Sequence, residues 1–386
     1  MRKEFLPFSK PSIKEEAIAE VADSIRSGWL AMGPKTIKFE EEFATYTGSK
    51  YALSANSATA GLHCATMALG LKAGDEVITT PMTFAATINA VLFTGAKPVF
   101  ADIDRKTLNI VPENIERLIT ARTKAIIPVH FAGMPCDMDA IEAIADKHNL
   151  AIIEDAAHAL GAEYKGRKIG ANRGERRCAV FSFHPTKNIT TGEGGMLCTQ
   201  DEEMAERVQV LRQNGMSKGA WNRYAAKGNS NYDIPFPGLK YTMLDINAAI
   251  GRSQLTQVDE FNARRTEIVN VYKRELAEVK GIILPTAAPW EHKHSWHIFT
   301  PFIDTETLGF SRDEFMARMK EQNIGTALHY QALHLFSCYG NITGLKRGAL
   351  PEAEYVSDHI VSLPLFPAMT DEDVADVIEA VKEVCR

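Results

Sequence analysis

The chain has 386 residues, 45% of them hydrophobic and 24% charged, with a formal net charge of −6. That mildly acidic balance offers no basic stripe for a nucleic acid, and no run of ~18 apolar residues offers a membrane span. Six scattered cysteines (Cys64, Cys136, Cys178, Cys198, Cys338 and Cys385), with no CxxC pair, suit reduced thiols in a cytoplasmic protein better than a disulfide scaffold.

The first thirty residues read as an arm, "FLPFSKPSI", and a polar helix over residues 14–27. No apolar h-region stands in the opening "MRKEFLPFSKPSIKEEA", so no signal peptide is expected. Gly33-Pro34 punctuates the chain before a second helix over residues 36–46. A regular alternation follows. Strands are expected at "KYALSAN", "DEVITTP", "KPVFADI", "TKAIIPVHF", "LAIIEDAA", "CAVFSFH" and "GGMLCT". Helices are expected between them at "SATAGLHCATMALGL", "FAATINAVLFTG", "NIVPENIERLI" and "DMDAIEAIADKHN". This is the pattern of βαβ units, an α/β fold with a mostly parallel sheet flanked by helices. "RGERR" at 173–177 reads as a solvated basic loop. The Gly-, Asn- and Pro-rich stretch 217–240 reads as a long irregular segment. One long helix is expected from about residue 244 to 277, as a spine into a smaller α+β domain with a strand at "HSWHIFTPFID" and helices at "SRDEFMARMKEQ" and "TDEDVADVIEAVKEV". The division is 1–245 for the arm and large domain and 246–386 for the spine and small domain.

Ligands of open parallel sheets collect at the carboxyl ends of the strands. Three such ends carry unusual residues. "AIIED" ends at Asp155, followed by His158; "AVFSF" ends near Ser182, with Lys187 just beyond in "FSFHPTKNITTGEGG"; "YALSAN" ends where Ser57 and Thr59 open a helix. Each alone has an ordinary reading as a helix cap or a solvated loop side chain. Their coincidence on one sheet edge is what an anionic, pyridine-containing cofactor needs. Its phosphate wants a helix N-terminus and small hydroxyl residues, supplied by Thr59, Ala60 and Ser182. Its ring nitrogen wants a carboxylate, Asp155; its aldehyde wants an amine, Lys187; its ring face wants an aromatic, Phe84. That set describes pyridoxal 5′-phosphate (PLP).

The stretches "SGWLAMGPK", "NSATAGLH", "GDEVITTPMTF", "TKAIIPVHFAG", "IIEDAAHALGAEYKGRKIG", "FSFHPTKNITTGEGG", "LDINAAIG" and "SLPLFPAMTDEDV" run in order along almost the whole chain. In them the chain resembles the DegT/DnrJ/EryC1/StrS sugar-nucleotide aminotransferases, a branch of the fold-type I PLP enzymes. The resemblance implies a large domain plus a smaller C-terminal one, and a homodimer with shared active sites. It implies Lys187 as the lysine that bonds the cofactor and Asp155 as the partner of the pyridine nitrogen. It places His158, where many members have glutamine, beside the phenolic oxygen. Lys240 stands where many members have an asparagine that reaches the neighbour's cofactor phosphate. Gly33, His329, Tyr330 and His334 fall on the substrate side. L-glutamate, leaving as 2-oxoglutarate, is the implied donor, and a keto group on a nucleotide-linked sugar the acceptor. "LPFSKP", "PVHFAG", "KNIT", "DINAAI" and "SWHIF" look like the subgroup that aminates UDP-4-keto-pentose in lipopolysaccharide modification. "HPTKNITTGEGG" is shared with relatives that act on UDP-linked 4-keto-6-deoxyhexoses, so the sugar stays open, with a UDP- or dTDP-linked 4-keto-6-deoxyhexose or a 3-keto sugar as the alternative.

Rival readings have less behind them. PLP-dependent sugar dehydratases of the family carry histidine where this chain has Lys187. A sensor without turnover need not keep Lys187, Asp155 and Ser182 together. "GEGG" at 192–195 lacks the spacing of a dinucleotide fingerprint and precedes a strand. The histidines of "HKHSWH" (His292, His294 and His297) have no acidic or thiol partner nearby in sequence, so no metal site is expected there.

Overall fold

Seven strands form the central sheet: β1 (Tyr51–Ala55), β2 (Glu76–Thr79), β3 (Lys97–Phe100), β4 (Thr123–Ile127), β5 (Ala151–Asp155), β6 (Arg177–Ser182) and β7 (Gly195–Thr199). They come from a computed structural model that describes residues 2–171, 174–217 and 232–386. Their order is β1-β7-β6-β5-β4-β2-β3. β7 alone runs against the rest, paired antiparallel with both β1 and β6.

Successive residues of a strand face opposite sides of the sheet. Ile126, Ile152, Ala179 and Phe181 enter one apolar core, with Phe39 and Phe43 of α2 (Pro34–Thr47) and Ile141 of the helix Met138–His148. Ala125, Ile127, Ile153, Cys178 and Val180 enter the other, with Leu62 and Ala65 of α3 (Ala58–Ala68) and Val91 of α4 (Ala85–Leu92). Helices cover both faces, which is why the central strands read as unbroken apolar runs rather than alternating ones. α3 lies so close to the sheet that a Cβ on Gly61 would sit 2.8 Å from a Val180 methyl.

The expected spine is two helices, Asp245–Leu255 and Val258–Leu276, broken at Thr256-Gln257. Apolar spacing carries across such a break and hides it. The second piece starts afresh with Asp259 and Glu260 in its first turn, where acidic side chains suit the free N–H groups. It joins two cores: Phe261 packs into the first, and Ile268, Val269, Tyr272 and Leu276 into a separate one shared with the helices Arg312–Glu321 and Asp371–Val384. Leu6 of the arm also enters that second core, tied by backbone bonds to Asn323 (2.9 Å) and Gly325 (2.8 Å).

Two further expectations are corrected. "HSWHIFTPFID" is not one strand: only Phe302–Ile303 pairs there as a strand, and Trp296 takes φ 46°, which an extended run cannot hold. His292–Lys293, just before it, pairs instead with Glu163–Tyr164 of the large domain. "RGERR" is not simply solvated either. Arg177 opens β6, is 7% exposed, and pairs with Asp146 and Glu142. Arg173, and residues 218–231 of the expected long irregular segment, lie outside the described residues.

Candidate active site

α3 begins at Ser57, whose Oγ accepts the Ala60 N–H (3.1 Å). This hydroxyl cap spends the Ala60 amide, and Ala60 is 2% exposed, so it stands behind the wall rather than on it. Ser57, Ala58 and Thr59, and not Ala60, line a cavity of about 890 Å³. The first N–H groups of a helix have no intrahelical partner and favour an anion. β7 brings Gly195 against this turn: a Cβ there would fall 2.6 Å from the Ala58 nitrogen. Ser182, the last residue of β6, lines the same cavity.

Asp155 ends β5 and is held from two sides. Thr87 Oγ1 donates to Oδ2 (2.7 Å), and the Ala157 N–H to Oδ1 (3.1 Å). Thr87 has spent its proton on Asp155, so Thr83, 2.7 Å away, is the donor to Thr87. Burial pushes the Asp155 carboxyl above its ordinary value, against the pull of the Thr87 and Ala157 bonds and the Lys187 charge. Lys187 sits on the excursion between β6 and β7, with its N–H donating to the His184 carbonyl (2.9 Å). Burial lowers its pKa to about 8, opposed by Asp155. Its amine makes no salt bridge among the described residues. Such an amine is less costly to deprotonate than a solvated one.

The cavity also takes in Phe84, His158, His329 and Tyr330. Phe84 is 62% exposed at the rim, its ring 6.3 Å from that of Tyr330. His329 Nδ1 pairs with Ser362 Oγ (2.8 Å), and its ring rests on Phe8 of the arm (5.3 Å). Besides Ala60, two residues expected in this site are not brought in. His334 is buried elsewhere, bonded to Glu354 (3.0 Å). Gly33 gives its N–H to Asp245 (2.7 Å), anchoring α2 to the first spine helix. Lys240, expected to reach the neighbour's site rather than this one, is exposed, its backbone paired with Gln213. Of the three neighbouring histidines, His294 stacks on Trp296 (3.7 Å) and His297 lies against His158 (4.3 Å). Sequence reasoning missed Thr87, Gln331 and Tyr339, the last of which lines the mouth and donates to Asn89 (2.9 Å). For Thr87 a signal existed: it is one turn into α4, on the helix whose start was already singled out.

The donor set fits PLP: an anion-accepting helix start, a buried carboxylate, and an uncommitted amine facing one cavity. Fold and site together define a fold-type I PLP-dependent aminotransferase. The model of the DegT/DnrJ/EryC1/StrS aminotransferase family matches residues 11–382. The chain is 51% identical over 385 residues to protein MJ1066 of Methanocaldococcus jannaschii, covering 100% of this chain and 98% of that one. It is 46% identical over 386 residues to the spore coat polysaccharide biosynthesis protein SpsC of Bacillus subtilis, with the same coverage. Spr1654 of Streptococcus pneumoniae in its PLP form superposes with a TM-score of 0.90 at 32% identity, over 99% of this chain and 98% of that one. The chain belongs to the DegT/DnrJ/EryC1/StrS family and is a PLP-dependent sugar aminotransferase.

Proposed function

We propose that the chain moves the amino group of L-glutamate onto the keto carbon of a nucleotide-linked sugar, with a UDP-linked 4-keto-pentose favoured over a 4-keto-6-deoxyhexose. The observation that carries the reaction is the half-buried Lys187 amine, lining one cavity with Asp155 and the start of α3. Bound there, PLP supplies an aldehyde to carry nitrogen and a ring to draw electrons from the reacting carbon. Asp155 Oδ, steadied by Thr87 and Ala157, holds a proton at the ring nitrogen. The open N–H groups of Ala58 and Thr59, with the Ser57 and Ser182 hydroxyls, bind the phosphate. Lys187 Nζ would take the proton from the reacting carbon of the donor and give it to the cofactor, and do the reverse for the acceptor carbon in the second half. Leu62, Val129 and Leu333 give the cavity an apolar part of its wall.

The sugar preference rests on the quoted pentose-subgroup stretches; the likeness to SpsC, named for polysaccharide synthesis, supports a sugar acceptor in general. A homodimer is supported by apolar surface on one chain. Ile18 and Ile25, seven residues apart on one face of the helix Glu15–Ser27, are 52% and 57% exposed, and Trp29, Leu30 and Leu244 are each about half exposed. A cytoplasmic setting is supported by four buried, unpaired cysteines.

The test is spectroscopic. Purified protein should show a visible absorbance band that glutamate bleaches, and Lys187→Ala should lack both band and turnover. Steady-state lines with glutamate and keto-sugar varied should be parallel; converging lines contradict the two-stage transfer. A panel of UDP-4-keto-pentose and 4-keto-6-deoxyhexoses then decides the sugar, and a strong hexose preference overturns the pentose reading.

A further inference from the structure

The His158 imidazole has both ring nitrogens committed to protein partners. The Ala132 backbone N–H donates to Nδ1 (3.2 Å), and Nε2 lies 3.0 Å from the Tyr330 hydroxyl. Burial, with the Lys187 charge behind it, drives the ring's pKa well below its ordinary value, so the ring is neutral. A neutral imidazole carries one proton, and a nitrogen that accepts from an amide leaves that proton on the other. Nε2–H therefore donates to the Tyr330 oxygen. The Tyr330 proton is not spent on His158, and no acceptor takes it among the described residues. The phenol lines the cavity, stacked along His158 (ring centroids 6.0 Å, 21°) and held edge-on by Phe131 (6.1 Å, 87°). Burial and the nearby Asp155 charge keep it protonated.

We propose that Tyr330, oriented by His158, is the hydrogen-bond donor to the phenolic oxygen of bound PLP, in place of a direct contact from His158. A donor at position 158 needs a free N–H, and His158 has none left. The pair also stands in the right neighbourhood. Tyr330 feels the charge of Asp155 and His158 that of Lys187, the groups that the ring nitrogen and the aldehyde must reach. The phenolic oxygen sits on the ring carbon next to the one that bears the aldehyde. Tyr330 is then a catalytic residue and His158 a positioning residue. The inference rests on PLP as cofactor and is independent of which sugar is used.

The experiment is a pH titration of the visible band of the cofactor-loaded protein. A donor on the phenolic oxygen stabilises its anion and holds the midpoint down. Tyr330→Phe should raise the midpoint by about one pH unit, the scale of one hydrogen bond to a charged oxygen. His158→Phe should raise it by less, and the double variant no further than Tyr330→Phe alone, because the two act in series. An unshifted midpoint in Tyr330→Phe, or shifts that simply add, overturns the proposal. Nitrogen NMR of the wild-type loaded protein gives a test that needs no variant: the His158 proton should be on Nε2 from pH 6 to 9, and a proton on Nδ1 overturns it. A wild-type protein with no visible band under added PLP takes down the cofactor assignment and this inference together, whereas a normal band with an unmoved midpoint takes down only this one.

Discussion

Removing a lysine from water penalises its charged form most, and Lys187 pays for its place in the pocket with a pKa of about 8. The neutral amine, the form that attacks an aldehyde, therefore predominates above about pH 8 rather than above 10.5. Uptake of PLP by the apoprotein should accelerate as pH rises through about 8; a midpoint in the ordinary lysine range, followed by stopped-flow absorbance, contradicts this. The linkage has the same sign. Between about 8 and 10.5 the unfolded chain holds the lysine proton and the native one does not, so this group's contribution to apoprotein stability rises with pH across that window. Thr87 donates to Asp155, the carboxylate proposed for the ring nitrogen. Thr87→Val removes a donor from a buried carboxylate, raises the Asp155 carboxyl further, and should weaken PLP binding about tenfold, for a loss of ~1.5 kcal/mol. Equal dissociation constants, measured by fluorescence, contradict that role. Lys187 and Asp155 were legible in the sequence because each follows a strongly apolar strand, where a charge has few structural uses. His329 and His334 were not separable: both lie in an irregular stretch with no periodicity to say which side chain turns inward. Tertiary packing sends one to the cavity and the other to Glu354.

At the scale of elements, the proposed phosphate seat depends on how closely β7 approaches α3. Gly195→Ala would place a methyl 2.6 Å from the Ala58 nitrogen and from the Ser57 carbonyl carbon, both backbone atoms that cannot step aside alone. It should push the helix start outward and raise the PLP dissociation constant by roughly tenfold or more, through the anion site described for helix N-termini. Equilibrium dialysis that finds unchanged affinity contradicts this. The strands and helices of the large domain were legible nearly throughout, since buried β-runs and amphipathic helices carry opposite periodicities. The break at Thr256-Gln257 was not, because the apolar positions on both sides continue in phase. Nor was the pairing of His292–Lys293 with Glu163–Tyr164, a contact between distant segments that no local pattern encodes.

For the whole molecule, the arm and the small domain share the upkeep of the pocket. Phe8 supports His329, while Leu6 is fixed to the small domain's core. The exposed apolar face of the first helix belongs to this scale too. Ile18→Asp combined with Ile25→Asp should leave the single-chain fold intact, since both side chains are more than half exposed, yet shift sedimentation from dimer to monomer and lower cofactor occupancy. An unchanged sedimentation coefficient contradicts the dimer face.

The reversed direction of β7 has a consequence for how the site comes into being. β6 and β7 pair through Ser182 and Gly195, near neighbours along the chain, so the excursion that carries Lys187 is a hairpin closed by local contacts. β1 pairs with the same strand from Tyr51 with Thr199 to Ala55 with Gly195, but across a long stretch of intervening chain. Closing short loops costs less entropy and takes less time than closing long ones. The amine can thus be in its hairpin while the proposed phosphate seat at the end of β1 is still unmade. On a refolding chain, the hairpin that carries the lysine can close before the pocket that desolvates its amine is built.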